Sequence, residues 1–141
     1  MSSPQFRVLV VDDEFSVRIS LVAYLEDHGF EVLLAGSAEE ALETLATEPA
    51  DVAIVDIRLP GMDGTTLIRK ATEMRPSLEF LIYTGSAGYH LPRSLADMGI
   101  GSEDIFRKPL SDLDVIAKAV RRLAKEGEYD GLVPARNRTD H

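Results

Sequence analysis

Two hydrophobic periods alternate along the chain. Residues 6–11, 30–35, 52–55, 79–83 and 104–107 are short, mostly apolar runs rich in β-branched and aromatic residues, and they predict strands. The first and third are nearly continuous in apolar character, as expected of strands buried on both faces of a parallel sheet. Between the strands, apolar positions recur at helical spacing: Val17, Leu21 and Leu25; then Ala41, Leu42 and Leu45; then Leu67, Ile68, Ala71 and Met74. A final set, Leu113, Ile116, Ala117, Val120 and Leu123, predicts a last helix opened by Ser111. Ser37 with Glu40 makes a capping box, and Asp63 caps the third helix, with Pro76 just past its end. Gly29 suits the position after the first helix, and Pro49 closes the second. Pro92 opens a short, weakly patterned helix through Met98. Five strands alternating with five helices predict a parallel sheet covered on both faces. Residues 1–126 read as one domain, and residues 127–141, without periodicity, as a loose C-terminal tail.

Composition narrows the class without changing this picture. A chain of 141 residues with 45% apolar and 28% charged residues fits one globular domain with a real core. No apolar run approaches the about 20 residues that span a membrane, and residues 1–5 carry no signal-peptide core. Cysteine is absent, which excludes a disulfide framework and thiolate chemistry. These features predict a cytoplasmic protein. The net charge of −9 argues against a nucleic-acid partner, because phosphate binding draws on a basic face. Arg121, Arg122 and Lys125, with Arg136 and Arg138, are the only basic cluster, and they read as complements to a helix end and a tail. His28, His90 and His141 have no clustered partners in the sequence and read as surface residues.

The chemistry gathers where strands end. Asp12 and Asp13 close the first strand, Asp56 the third, Thr84 the fourth, and Lys108 follows the fifth. In an open α/β sheet these carboxyl ends share one edge, where ligand sites form. Carboxylates about 4 Å apart repel by roughly 4 kcal/mol per pair at an effective dielectric near 20. Such a cluster holds protons or binds a cation, and oxygen donors without His or Cys favour a hard ion, Mg²⁺ above all. Thr84 offers a hydroxyl, Gly85 allows close backbone approach, Lys108 offers an ammonium, and Pro109 stiffens the turn behind it. A cation site, a carboxylate, a hydroxyl and an ammonium suit phosphoryl transfer onto a carboxylate oxygen.

These residues, in this order, resemble the receiver domain of two-component response regulators. The resemblance rests on Val11-Asp12-Asp13, on Asp56 with Leu59-Pro60-Gly61-Met62-Asp63-Gly64 behind it, on Thr84-Gly85, and on Lys108-Pro109, and it covers about residues 6–125. It implies a flavodoxin-like (βα)₅ fold with strand order 2-1-3-4-5. It implies further that Asp56 accepts phosphate from a histidine kinase or phosphotransfer protein. Asp12, Asp13, Asp56 and the backbone carbonyl of Arg58 would hold Mg²⁺, Thr84 would follow the phosphoryl group as the switch hydroxyl, and Lys108 would pair with it. A downstream protein target, with room for a phosphorylation-dependent dimer, completes the implied partners. The chain departs from the family at Ile105, where an aromatic switch residue is usual, and in a 99–108 loop longer than usual. Strand alternation turns the nearby Phe106 to the opposite face.

The same residues admit other readings. The chain could be a receiver piece of a larger regulator or hybrid kinase, or an interaction module that never takes phosphate. A flavin or nucleotide binder on this fold would need a Gly- or Ser-rich loop where Asp12-Asp13-Glu14 stand. A hydrolase using Asp56 would need a second acid two residues on, where Arg58 stands. The expectation is therefore self-phosphorylation and autodephosphorylation without turnover of external substrates. Ile105, short and stiff at χ1, further predicts that phosphorylation moves Thr84 and residues 85–91 more than the fifth strand.

Overall fold

A computed structural model describes the backbone of residues 5–130. In chain order the elements are β1 (Arg7–Val11), α1 (Phe15–Asp27), β2 (Glu31–Ala35), α2 (Ala38–Thr47), β3 (Val52–Val55) and α3 (Gly64–Met74). They continue through β4 (Glu79–Thr84), α4 (Arg93–Ala96), a 3₁₀ turn (Ser102–Asp104), β5 (Ile105–Arg107) and α5 (Asp114–Asp130). All strand pairings are parallel, in the order β2-β1-β3-β4-β5. The expected flavodoxin-like architecture is present.

Alternation along the strands splits the core in two. Leu9, Val11, Ala53, Val55, Phe80 and Ile82 face α2, α3 and α4, packing with Leu45, Leu67, Ile68 and Leu95. Val8, Val10, Val52, Ile54, Leu81 and Tyr83 face the other way, packing with Leu21 and Leu25 of α1 and Ile116, Val120 and Leu123 of α5. Both sides bury large aliphatic groups, the main favourable term in folding at about 25 cal/mol per Å² of apolar area. Ile105 packs on the first side and Phe106 on the second, as alternation requires.

Chain order explains where the site lies. From β1 the chain steps outward to β2, then crosses back to β3 on the other side of β1. The crevice beyond the carboxyl ends of β1 and β3 is the switch point where α/β sheets bind ligands.

Most helix signals hold. Ser37 Oγ accepts from Glu40 N at 3.1 Å and Asp63 from Thr66 N at 2.9 Å. The capping box closes one residue early, with the Glu40 carboxylate accepting from Gly36 N. Gly29 takes φ 90° after α1, a left-handed conformation that glycine adopts without steric cost. Four boundaries differ from expectation. The first free amide of α5 is satisfied by Asp112, whose carboxylate accepts from Asp114 N at 2.9 Å, and not by Ser111. Asx side chains bond their own backbone two residues on, so Asp112 is the better placed of two competent residues. The α5 backbone runs to Asp130, into the stretch expected to be loose, since one glycine at 127 costs only about 1 kcal/mol in a helix. The remainder of that stretch, with Arg136, Arg138 and His141, lies outside the described residues. Asp104 belongs to the 3₁₀ turn, and α4 stops at Ala96.

Candidate functional site

Ladder hydrogen bonds extend past the ends of β1 and β3 and fix the backbone of two acids. Asp12 N donates to Ala35 O at 3.1 Å and Asp56 N to Val11 O at 3.0 Å. Both side chains are buried, and both divide their oxygens the same way. Asp12 Oδ1 accepts from Glu14 N at 2.9 Å, and Asp56 Oδ1 from Arg58 N at 3.0 Å. The second oxygen of each meets Lys108 Nζ, at 2.7 Å for Asp12 and 3.0 Å for Asp56. These two-residue Asx turns leave little freedom at χ1.

Asp13 is exposed, yet one of its oxygens lies within 4.8 Å of ligand atoms from both Asp12 and Asp56. Glu14 Oε1 also reaches Lys108 Nζ, at 2.9 Å. Three carboxylates thus meet a single ammonium, with Asp13 beside two of them. Burial raises the pKa of Asp12, and its hydrogen bonds to Lys108 and Glu14 N offset only part of that. For Lys108 burial opposes the charge, but hydrogen bonds to Asp12, Glu14 and Asp56 outweigh it and raise the pKa. The ammonium also lies 5.7 Å from the Tyr83 ring centroid. It is a stand-in for cationic charge in a pocket of hard oxygen donors, and the donor chemistry fits Mg²⁺.

Thr84 lies at the end of β4 with no exposed surface. Its carbonyl accepts from Lys108 N at 2.9 Å, which ties β4 to the segment carrying the lysine. Its hydroxyl accepts from Ser86 N at 3.2 Å. A Cβ on Gly85 would meet only Lys108 methylenes, at 4.0 Å, so the approach there is open. Arg58 contributes its backbone N–H to Asp56, and its side chain is exposed.

The structure therefore gathers Asp12, Asp13, Asp56 and Lys108, with Thr84 at the adjoining strand end. Sequence reasoning did not single out Glu14 as a partner of Lys108. It also missed Arg18, whose Nη1 donates to Asp12 O at 2.7 Å. Gly64 is a third such residue: a Cβ there would lie 2.6 Å from Asp56 O. Only its Asp-Gly turn signal was visible. Two basic residues of α5 make contacts within the protein: Arg122 pairs with buried Asp104 at 3.0 Å, and Arg121 lies 5.0 Å from the Phe30 ring centroid. His28 and His90 are exposed, and His28 stacks on Tyr24 at 4.2 Å.

Comparison with known proteins agrees with this geometry. The profile of the response regulator receiver domain matches residues 8–121. The transcriptional regulatory protein AruR of Pseudomonas aeruginosa is 37% identical over 118 residues, which cover 80% of this chain and 47% of AruR. The chain spans about half or less of the length of the curated relatives it matches. A response regulator receiver domain protein from Methanospirillum hungatei superimposes with a TM-score of 0.76 at 34% identity, covering 91% of this chain and all of that one. A response regulator from Burkholderia pseudomallei, crystallised with a phosphorylated aspartic acid, a calcium ion and citrate, gives 0.72 at 25% identity over 90% of this chain and 73% of its own. With the family profile spanning the strand ends and the acid cluster, the chain belongs to the response regulator receiver domains of two-component systems.

Proposed function

We propose that Asp56 is the phosphoacceptor of this receiver. The observation that carries the reading is the fixed Asp56 carboxylate, with one oxygen on Arg58 N–H and the other on Lys108 Nζ, inside the Asp12–Asp13 cluster. An Asp56 oxygen attacks the donor phosphorus and forms a P–O bond as the bond to the leaving group breaks. That leaving group is the imidazole of a phosphohistidine or the acetate of acetyl phosphate, and the product is an acyl phosphate. In a separate step, water attacks the same phosphorus and the Asp56 O–P bond breaks, which returns the Asp56 carboxylate and inorganic phosphate.

Asp12, Asp13 and Asp56, with the Arg58 carbonyl, are the residues that would hold Mg²⁺. When bound, the ion neutralises charge on the transferring group. Lys108 already touches Asp56 and supplies an ammonium to the added phosphoryl oxygens. Thr84 accepts from Ser86 N, which leaves its own O–H proton available to donate to them. The donor is a histidine kinase or phosphotransfer protein, and the output is contact with a downstream protein, in the cytoplasm. Among the described residues no helix is long and apolar enough to cross a membrane. Turnover of external substrates is not part of this reading.

Intact-mass analysis after acetyl phosphate treatment tests it. One phosphoryl group is expected in Mg²⁺ and almost none in EDTA or in Asp56→Asn. A phosphoryl group persisting on the Asp56→Asn protein would overturn the assignment.

A further inference from the structure

The segment after Thr84 is held by a chain of hydrogen bonds that starts at its hydroxyl. Ser86 N–H donates to Thr84 Oγ1, and Ser86 O accepts from Tyr89 N at 3.3 Å. Arg107, the register partner of Thr84 on β5, closes the chain. Its Nη1 donates to Ser86 O at 2.9 Å and its Nη2 to Tyr89 O at 3.0 Å. One planar guanidinium thus grips two carbonyls of a segment whose Gly85, Ala87 and Gly88 are exposed. The phenol ring of that segment, Tyr89, packs on the same core face as Ile105. The Tyr89 hydroxyl is buried beside Thr65 without a well-aligned hydrogen bond to any described residue, and burial pushes its pKa up.

We infer that Arg107 and Tyr89 form a latch that holds the segment after Thr84 closed, and that phosphorylation opens it. The opening half rests on the Asp56 reading above; the closed half does not. If the Thr84 hydroxyl turns to a phosphoryl oxygen, Ser86 N–H loses its acceptor. The segment shifts, and its two carbonyls leave the fixed spacing of the guanidinium nitrogens. The Tyr89 hydroxyl, poorly aligned with Thr65 inside, gains water outside, so the ring leaves its packing site. The aromatic missing at position 105 is thus replaced in function by one on the preceding loop, and it moves outward on activation.

Amide hydrogen exchange of residues 86–91 in the full chain tests the closed half without phosphate. Arg107→Gln, at an exposed position, should speed exchange about tenfold, the loss of roughly one charged hydrogen bond. Arg107→Lys, which cannot span both carbonyls, should fall between. Tyr89→Phe removes the buried hydroxyl and should slow exchange. Unchanged exchange in Arg107→Gln, or acceleration in both Arg107→Gln and Tyr89→Phe, would overturn the latch.

For the opening half, the chain is labelled with 3-fluorotyrosine, and Tyr89→Phe assigns the Tyr89 signal. That signal should be shielded from a soluble paramagnetic agent in the free protein. It should be exposed once the mass shows one added phosphoryl group. A signal still shielded in fully phosphorylated protein defeats the opening. If no phosphoryl group is added, the Asp56 reading fails, and exchange in Arg107→Gln alone decides the latch.

Discussion

At the residue scale the site is a balance of charge, with Lys108 at its centre. Its side chain is 11% exposed and meets three carboxylates, two of them buried. Removing one partner of a buried pair leaves an uncompensated charge, which costs several kcal/mol when nothing replaces it. Here a divalent cation can replace it, so the loss should depend on metal. Lys108→Met is expected to lower stability by about 2 kcal/mol in EDTA, roughly 6 °C in Tm. Millimolar Mg²⁺ should restore most of that loss and stabilise the variant more than the parent, because the ammonium no longer competes for the same oxygens. Thermal unfolding with and without Mg²⁺ measures this, and equal stabilisation of both proteins would count against a shared site. The residues at this centre were legible because each is a polar group ending an apolar strand. Glu14, Arg107 and Tyr89 were not. An exposed acid just before a helix has no periodic signature, and strand alternation assigns a face to Arg107 without naming the loop carbonyls it reaches.

Elements place these residues, and their boundaries matter where backbone meets backbone. The chain from Asp56 returns into α3 so tightly that Gly64 N donates to Ile57 O at 3.0 Å. A Cβ at 64 would lie 2.6 Å from Asp56 O and 2.8 Å from Ile57 Cα, closer than van der Waals contact allows. Two effects oppose each other in Gly64→Ala. Alanine gains about 1 kcal/mol of helix propensity. The clash is with backbone atoms that cannot swing aside, and overpacking of this kind costs about 1–3 kcal/mol. The clash should win, with a net loss of about 1 kcal/mol. Acetyl phosphate labelling should also slow, because one of the displaced atoms is the carbonyl oxygen of Asp56, the proposed phosphoacceptor. A higher Tm with unchanged labelling rate would show that the turn relaxes freely. Capping chemistry made α2 and α3 readable to the residue, since Ser37 and Asp63 each stand alone before an apolar pattern. The start of α5 was not, because Ser111 and Asp112 are both competent and only the folded geometry selects between them.

Over the whole molecule, order and pattern carried the architecture further than any single motif. Short apolar runs alternating with helical periods specify a parallel sheet, and the ordered acids, hydroxyl and lysine sit at one edge of it. What pattern could not supply was the disposition of the cations, and that bears on partners. The charge is −9 overall. The described cations are largely engaged within the protein: Arg7 with Glu31 and Glu48, Lys108 with the site, Lys118 with Asp114, and Arg122 with Asp104. Arg121 donates to His28 O and lies over Phe30. A duplex would have to displace these contacts and overcome repulsion from a net-acidic surface before any counterion release could favour binding. AruR is named a transcriptional regulator, but this chain aligns with 47% of it. The expected outcome for this chain is no retardation of duplex DNA at about 10 μM protein, where weak non-specific binders begin to register. The phosphorylated form should behave the same way, since an added phosphoryl group makes the protein more negative. Retardation that weakens steeply as salt rises would show binding through a basic face, and would refute signalling by protein contact alone.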